Sequence, residues 1–303
     1  MTALLSGALY GWQQSAPQQK RDEQTISVNV DLVNVLFTVA DKRGKFIPEL
    51  KRENFRVFED GRPQTISNFS ADTDLPLTVA LLIDTSGSVR DRLHFEQQAA
   101  IEFFRSTLIR GKDRALLISF DSGVDLLQDF TDDPEQLAKS MANMRAGGGT
   151  SLFDAMYLAA KDKLAAHDGR RILVVITDGD DNSSRITLTE SLESAQRNDV
   201  VIYAISTNAA GVGGNHSQRG DKTLKTFTDA TGGRTFAPQK LEDLSANFRD
   251  IAAELRAQYA LAYQSTNPLR NGAFRRIRVE PTDKRYVVRT RSGYYAPRKP
   301  ADQ

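Results

Sequence analysis

Cysteine is absent from this sequence, tryptophan occurs once, histidine three times, and neither charge sign is in excess, with 40 Lys and Arg against 39 Asp and Glu in 303 residues. Without cysteine there are no disulfides, thiolate metal sites or cysteine nucleophiles. The absence leaves the compartment open, since a cysteine-free chain suits either side of a membrane. A balanced charge argues against a dedicated nucleic-acid binder, which carries a clear basic excess. His94, His167 and His216 are far apart, show no metal-ligand spacing and receive no role. Nucleotide binding lacks its motifs: no Gly-x-Gly-x-x-Gly follows the first buried strand, and there is no Walker lysine. Past the N-terminus no apolar run approaches the roughly 20 residues that span a bilayer.

Hydrophobic residues make up 40% of the chain, an ordinary globular share, and the length suffices for one large domain or two moderate ones. Residues 1–12, MTALLSGALYGW, are apolar with small residues and give way to QQSAPQQKRDEQ. The pattern is that of the apolar stretch of a secretory signal peptide, though without a positive leading segment. It predicts an exported chain, secreted or periplasmic, with a plain N-terminal arm over 1–24 as the alternative.

Residues 25–74 read as β structure. Ile26, Val28, Val30 and Leu32 alternate with polar residues, then the phase shifts at Leu32-Val33 and continues through Val35, Phe37 and Val39. Period two means one buried face, and a one-residue phase shift is the trace of a β-bulge. Residues 41–44 predict a turn, 54–59 a strand, and Asp60-Gly61 a tight hairpin.

From residue 75 the text changes. LTVALLID (77–84), ALLISF (115–120), RILVVITD (171–178) and VVIYAIS (200–206) are continuous apolar runs, as expected of strands covered on both faces of a parallel sheet. Val124 onward reads as a short edge strand. Helical patterns fall between the strands, over 90–108, from Pro134, over 151–166 and 187–197, and a last one over 241–258. A Gly- and Asn-rich loop covers 207–220. Strand and helix alternating at this spacing predict an α/β fold, a doubly wound, mostly parallel, Rossmann-like sheet over 75–258. The tail returns to β text over 259–297, with strands at 259–264, 274–280 and 285–290, and ends in a short tail, 298–303. Neither β-rich end has strands enough to bury a stable face alone. The prediction is one small β-sandwich built from both chain ends, with the α/β unit inserted between them.

Three pieces of sequence follow or precede these elements at what must be one edge. Asp84-Thr-Ser86-Gly-Ser88 follows the first buried strand, Gly147-Gly-Gly-Thr150 precedes a helix, and Thr177-Asp178-Gly179 follows the third buried strand. The carboxyl ends of the strands form the ligand crevice of a doubly wound sheet. Carboxylate and hydroxyl oxygens suit a hard cation, Mg²⁺ or else Mn²⁺ or Ca²⁺. Alternate side chains of an extended Asp-x-Ser-x-Ser loop can turn toward one point. Each piece alone is no more than a turn with side-chain to backbone bonds; the three together carry the reading.

In order and context, IDTSGS, GGGT and ITDG resemble the metal-ion-dependent adhesion site of von Willebrand factor type A domains, also found in integrin inserted domains. The resemblance covers about residues 75–258. It implies that Ser86, Ser88 and Thr150 coordinate the metal with their hydroxyls, and that Asp84 and Asp178 act directly or through water. It implies an adhesion or scaffold module, not an enzyme, whose cation offers an open position to an Asp or Glu carboxylate of a protein partner. GGGTSLFDA and the closing RSGYYA also resemble a bacterial group of exported proteins with such domains and β-rich flanks.

A metal-dependent phosphohydrolase would need a second Asp two residues after Asp84, where Ser86 stands, and has no candidate general acid. Asp154 reads as a helix N-terminal charge, with a supporting contact to the metal ligands as the alternative, and Asp180, Asp181 and Asn182 as a solvated acidic loop, with a second ion site as the alternative. From residue 268 on, Arg270, Arg275, Arg276, Arg278, Lys284, Arg285, Arg289, Arg291, Arg298 and Lys299 face only Glu280, Asp283 and Asp302. This could be a patch for anionic surfaces or glycans; the favoured reading is that of solvent faces of strands whose Ile277, Val279 and Val287 turn inward.

Overall fold

The computed structural model describes residues 32–71, 75–208, 218–240 and 242–298. The apolar N-terminal segment, the alternation over 26–30, His216, Lys299, Asp302 and most of the 207–220 loop lie outside the described residues. At Leu32-Val33, where the phase shift predicts a bulge, pairing runs in unbroken register from Leu32↔Gln264 to Phe37↔Tyr259, which corrects that expectation.

The chain enters through β1 (Leu32–Asp41), which buries Val33, Val35, Phe37 and Val39 on one face. The 41–44 turn closes with the Gly44 N–H donating to the Asp41 carbonyl at 3.0 Å. β2 (Phe55–Glu59) and β3 (Arg62–Gln64) form a hairpin through Asp60 (φ 47°) and Gly61 (φ 82°). Positive φ at both central residues matches the right-handed twist of paired strands, which is why Asp-Gly marks the turn. β4 (Ile66–Ser70) ends this segment.

The middle of the chain runs β5 (Leu77–Asp84), α1 (Leu93–Thr107), β6 (Arg114–Phe120), β7 (Val124–Thr131), α2 (Pro134–Met141), α3 (Leu152–Leu158), β8 (Arg170–Thr177), α4 (Leu188–Arg197), β9 (Val200–Ser206), α5 (Gln218–Thr231), β10 (Thr235–Phe236) and α6 (Asp243–Arg256). One six-stranded sheet results, in the order β10-β9-β8-β5-β6-β7. All its neighbours are parallel except the edge pair β6–β7. β5 lies at its centre with every residue buried. Its alternate side chains feed two cores: Leu77, Val79, Leu81 and Ile83 meet α1 and α6, while Ala80 and Leu82 meet α3 and α5. Full burial of each such Leu, Val or Ile contributes roughly 1.5–3 kcal/mol, so the sheet is a rigid base for the loops at its carboxyl edge.

Two helix starts follow the expected chemistry. The Asp133 carboxylate accepts the Glu135 N–H ahead of Pro134, and Thr187 with Glu190 closes a reciprocal capping box. The helix expected over 151–166 is not one α-helix. After Leu158 it widens to a π segment, Ala159–Lys163, and ends in a 3-10 turn, Leu164–Ala166.

After α6 the chain passes straight into β11 (Tyr259–Gln264), then β12 (Phe274–Pro281), β13 (Tyr286–Thr290) and β14 (Gly293–Tyr295). Strands from the two ends pair as expected: β1 lies between β11 and β13, and β2 pairs with β12, all antiparallel. The two four-stranded sheets, β13-β1-β11-β4 and β14-β12-β2-β3, enclose one apolar core. In it Phe37 packs edge-on against Phe55 at 4.9 Å and stacks on Tyr259 at 5.3 Å.

Five of the ten basic side chains of the tail are paired with acids. Arg275 pairs with Glu59, Arg278 with Glu280, Arg285 with Asp283, Arg289 with Glu254 and Arg291 with Asp199. Ile277 and Val279 turn inward at 6% exposure each, but Val287 is 56% exposed. That side chain lies on the outer face of a sheet-edge strand, so the inward expectation for it is corrected. No helix among the described residues is long and apolar enough to cross a membrane.

Candidate metal centre

β5 delivers Asp84 at its last residue, and the following loop turns through Ser86, Gly87 and Ser88 into α1. The Asp84 carboxylate has both oxygens engaged: Oδ1 accepts the Ser86 N–H at 2.8 Å, and Oδ2 accepts the Thr177 hydroxyl at 2.6 Å. The Ser86 and Ser88 hydroxyls lie 3.1 Å apart, and Ser88 donates to Asp178 Oδ2 at 3.3 Å. Asp84, Ser86, Ser88 and Asp178 thus form one connected chain across two strands that are distant in sequence.

The glycine-rich loop is drawn to the same place by its backbone. The Gly147 N–H donates to the Thr85 carbonyl at 2.8 Å, and the Gly148 carbonyl accepts the Gly87 N–H at 3.2 Å. Gly148 takes φ 77°, a conformation that a side chain would strain. Thr150 follows, 5% exposed, and joins the others through the loop backbone and not through its hydroxyl. A close backbone approach also fixes Asp178: a Cβ on Gly220 would stand 2.0 Å from the Asp178 carbonyl oxygen. The Asn208 side-chain amide donates to that same oxygen at 2.8 Å.

Asp84 is fully buried, and no Lys, Arg or His is among its hydrogen-bond partners. Burial pushes its carboxyl up to about 6; hydrogen bonds from Thr177 and Ser86 pull it down and the Asp178 charge pushes it up. Deeper in, Glu96 on α1 is buried beside Arg92, Nε to Oε1 3.2 Å. Burial raises its carboxyl to about 8, Arg92 lowering it while Asp84 and Asp178 raise it. The local field is therefore negative and short of positive charge.

The donor set fits a divalent cation. It combines two carboxylates with three hydroxyls, and the Asp84 charge has no cationic partner. Among the described residues no three Asp, Glu, His or Cys side chains gather at one point, so a cation here depends on hydroxyl oxygens, which suits a hard ion with open positions.

Several neighbours escaped the sequence reading. Thr177 orients Asp84 from inside the ITDG motif. Asn182 Oδ1 accepts the Thr150 N–H at 2.9 Å, and its own N–H donates to the Thr150 carbonyl at 3.1 Å. Asp181 Oδ2 accepts from Phe153 N–H at 3.1 Å and from the Ser184 hydroxyl at 2.5 Å. The Asp181-Asn182 stretch is thus a clasp on the start of α3, which corrects the reading of a merely solvated loop. Asp154 likewise spends its carboxylate on the N–H groups of Arg185 and Ile186, at 3.0 and 2.8 Å. Nothing in single-sequence spacing announces these bonds. His94 sits exposed on α1 against Gln98, away from this chain of groups.

Residues 79–180 match the family model of the von Willebrand factor type A domain. No curated protein matches the chain. Among solved structures, proximal thread matrix protein 1 from the mussel byssus is similar at TM-score 0.53 and 14% identity, over 65% of this chain and 51% of that one. The PilB minor pilin from Streptococcus sanguinis is similar at TM-score 0.49 and 15% identity, over 61% and 62%. The von Willebrand domain of the type V pili tip protein Mfa5 from Porphyromonas gingivalis gives 0.48 and 13%, over 60% and 96%. The chain spans about half of the mussel protein and less than two thirds of the pilin. Identity this low speaks to the fold alone.

Proposed function

We propose that this chain is a divalent-cation-dependent protein-binding module, an adhesion or scaffold protein with Asp84, Ser86, Ser88, Thr150 and Asp178 as its metal site. The observation that carries the reading is the connected chain from Asp84 through Ser86 and Ser88 to Asp178, with the Gly147–Thr150 loop bonded against it. Mg²⁺, Mn²⁺ or Ca²⁺ is the expected ion, and one structure of the mussel protein has its adhesion-site motif occupied by zinc. When bound, the ion supplies an open coordination position that a partner's Asp or Glu carboxylate can take. The chain's own groups do the rest. Thr177 and the Ser86 amide hold Asp84 in orientation, Gly220 and Asn208 hold Asp178, and Asn182 holds Thr150.

The reading includes an α/β unit over 75–258 inserted between β segments 25–74 and 259–297, and an extracytoplasmic location, for which the apolar 1–12 segment is the support. Catalysis is not part of it.

Titration calorimetry of Mg²⁺, Mn²⁺ and Ca²⁺ into EDTA-treated, dialysed protein tests the site. Saturable binding of at least one ion, lost in Thr150→Ala and in Asp178→Ala, supports it; no binding of any of the three removes it.

A further inference from the structure

At the amino ends of β8 and β9, the edge opposite the candidate centre, the parallel sheet does not close against the β-sandwich. A cleft of about 620 Å³ is left between them, within the roughly 300–1,000 Å³ of small-molecule sites. Its floor is the outer face of the sheet β13-β1-β11-β4. Two cross-strand rows form it: Asn34, Ala262 and Asn68 in one, Leu36, Ala260 and Ser70 in the next. The central strand offers only alanines there, so the floor is a trough. Leu75, 48% exposed, and Val201 line the opposite wall. Close-packed layers leave few voids larger than a water molecule, so the gap is a built feature.

Three charged side chains border the cleft. Arg291 pairs with Asp199 and donates to the Asn34 carbonyl at 2.6 Å, so these two leave no net charge. Arg171 is held otherwise. Its Nε donates to the His167 carbonyl at 2.6 Å and its Nη1 to the Asn198 carbonyl at 3.0 Å. Both acceptors are neutral, and Nη2 has no partner among the described residues. Asp168, three residues earlier, is exposed and makes no ion pair with it. Two carbonyls fix this guanidinium in place but leave its charge unmet, and a guanidinium so oriented favours a carboxylate.

The cleft thus joins an apolar trough to one oriented, uncompensated cation. We infer that it binds a medium-chain aliphatic carboxylate, with the chain along the alanine trough and the carboxylate on Arg171. An ammonium head would be repelled there, and an uncharged alcohol would leave the guanidinium unused. The site lies at the edge away from Asp84 and needs no metal ion, so it stands or falls apart from the metal-site reading.

Titration calorimetry of the full chain with sodium octanoate, octanol and octyltrimethylammonium, each below its micellar range, tests the inference. Octanoate should bind at one equivalent, about tenfold or more tighter than octanol. It should also bind about tenfold tighter than hexanoate, which buries two methylenes fewer. Octyltrimethylammonium should not bind measurably. Arg171→Gln should reduce octanoate to the level of octanol. Because Arg171 also braces two loop carbonyls, Asn68→Trp serves as a second variant. The Asn68 side chain makes no hydrogen bond among the described residues. An indole in its place should fill the trough and abolish octanoate binding, with circular dichroism and melting temperature as in the parent. Any one of five results would overturn the inference: no octanoate binding, several equivalents of it, equal affinity for octanol, a preference for octanoate that survives Arg171→Gln, or binding that survives Asn68→Trp.

Discussion

Glu59 in the β-sandwich and Asp84 at the edge of the parallel sheet are both buried carboxylates, 2% and 0% exposed. Their surroundings differ. Glu59 accepts from the hydroxyls of Tyr263 and Tyr294 at 2.9 Å each, from Ser265 at 2.6 Å, and pairs with Arg275 at 3.4 Å. Its charge is met within the fold, by residues from β11, β12 and β14 that tie the two chain ends together. Asp84 has oriented donors but no cation among its partners, and Asp178 adds to its repulsion. A buried charge that is fully met holds a structure together; one that is oriented and left uncompensated is poised for something from outside.

That contrast can be broken at either end. Glu59→Ala should cost the most, about 3–5 kcal/mol by urea unfolding, because it strands a buried guanidinium and two buried phenols. A cost below about 1 kcal/mol would show that the network adds little. Asp84→Asn should act in the opposite direction in EDTA. The folded carboxyl titrates at about 6, above its ordinary value of 3.8, so the folded state retains a proton that the unfolded state has released. Stability of the parent should therefore fall as pH rises from about 4 to about 6, and stay lowered above that, by about 3 kcal/mol relative to Asp84→Asn. Parallel pH profiles for the two proteins would contradict this. Next, Gly220→Ala places a Cβ 2.0 Å from the Asp178 carbonyl oxygen. It should destabilise by about 1–3 kcal/mol and weaken cation binding together, where a purely structural glycine would spare the latter. The smallest effect belongs to Val287→Thr, within about 0.5 kcal/mol, as expected of an exposed sheet-edge position.

How far the sequence was legible follows the same division. The apolar runs of β5, β6, β8 and β9 could be read directly because both faces of a central parallel strand are buried and no charged residue interrupts them. The Asp-Gly hairpin and the pairing of the ends were legible too, since turn chemistry and the shortage of strands at each end leave little choice. The motif residues Asp84, Ser86, Ser88 and Asp178 are brought into one chain of contacts, and Thr150 arrives by its backbone. What stayed hidden depends on tertiary contact. Glu59 sits in an ordinary alternating strand, and only its partners more than 200 residues away make it a core network. Asp181 and Asn182 read as a solvated loop until the start of α3 is laid against them. Val287 continues an alternation that on an edge strand points to solvent. The π segment at Ala159–Lys163 leaves no mark in a helical periodicity.

The claim that Asp84 awaits a cation is tested most directly by differential scanning calorimetry of the EDTA-stripped full chain, with and without Mg²⁺, Mn²⁺ or Ca²⁺, alongside Asp84→Ala and Ser86→Ala. A melting temperature that rises with at least one ion in the parent and stays unmoved in both variants is the predicted result. A parent indifferent to all three ions, or variants that respond as the parent does, would contradict it.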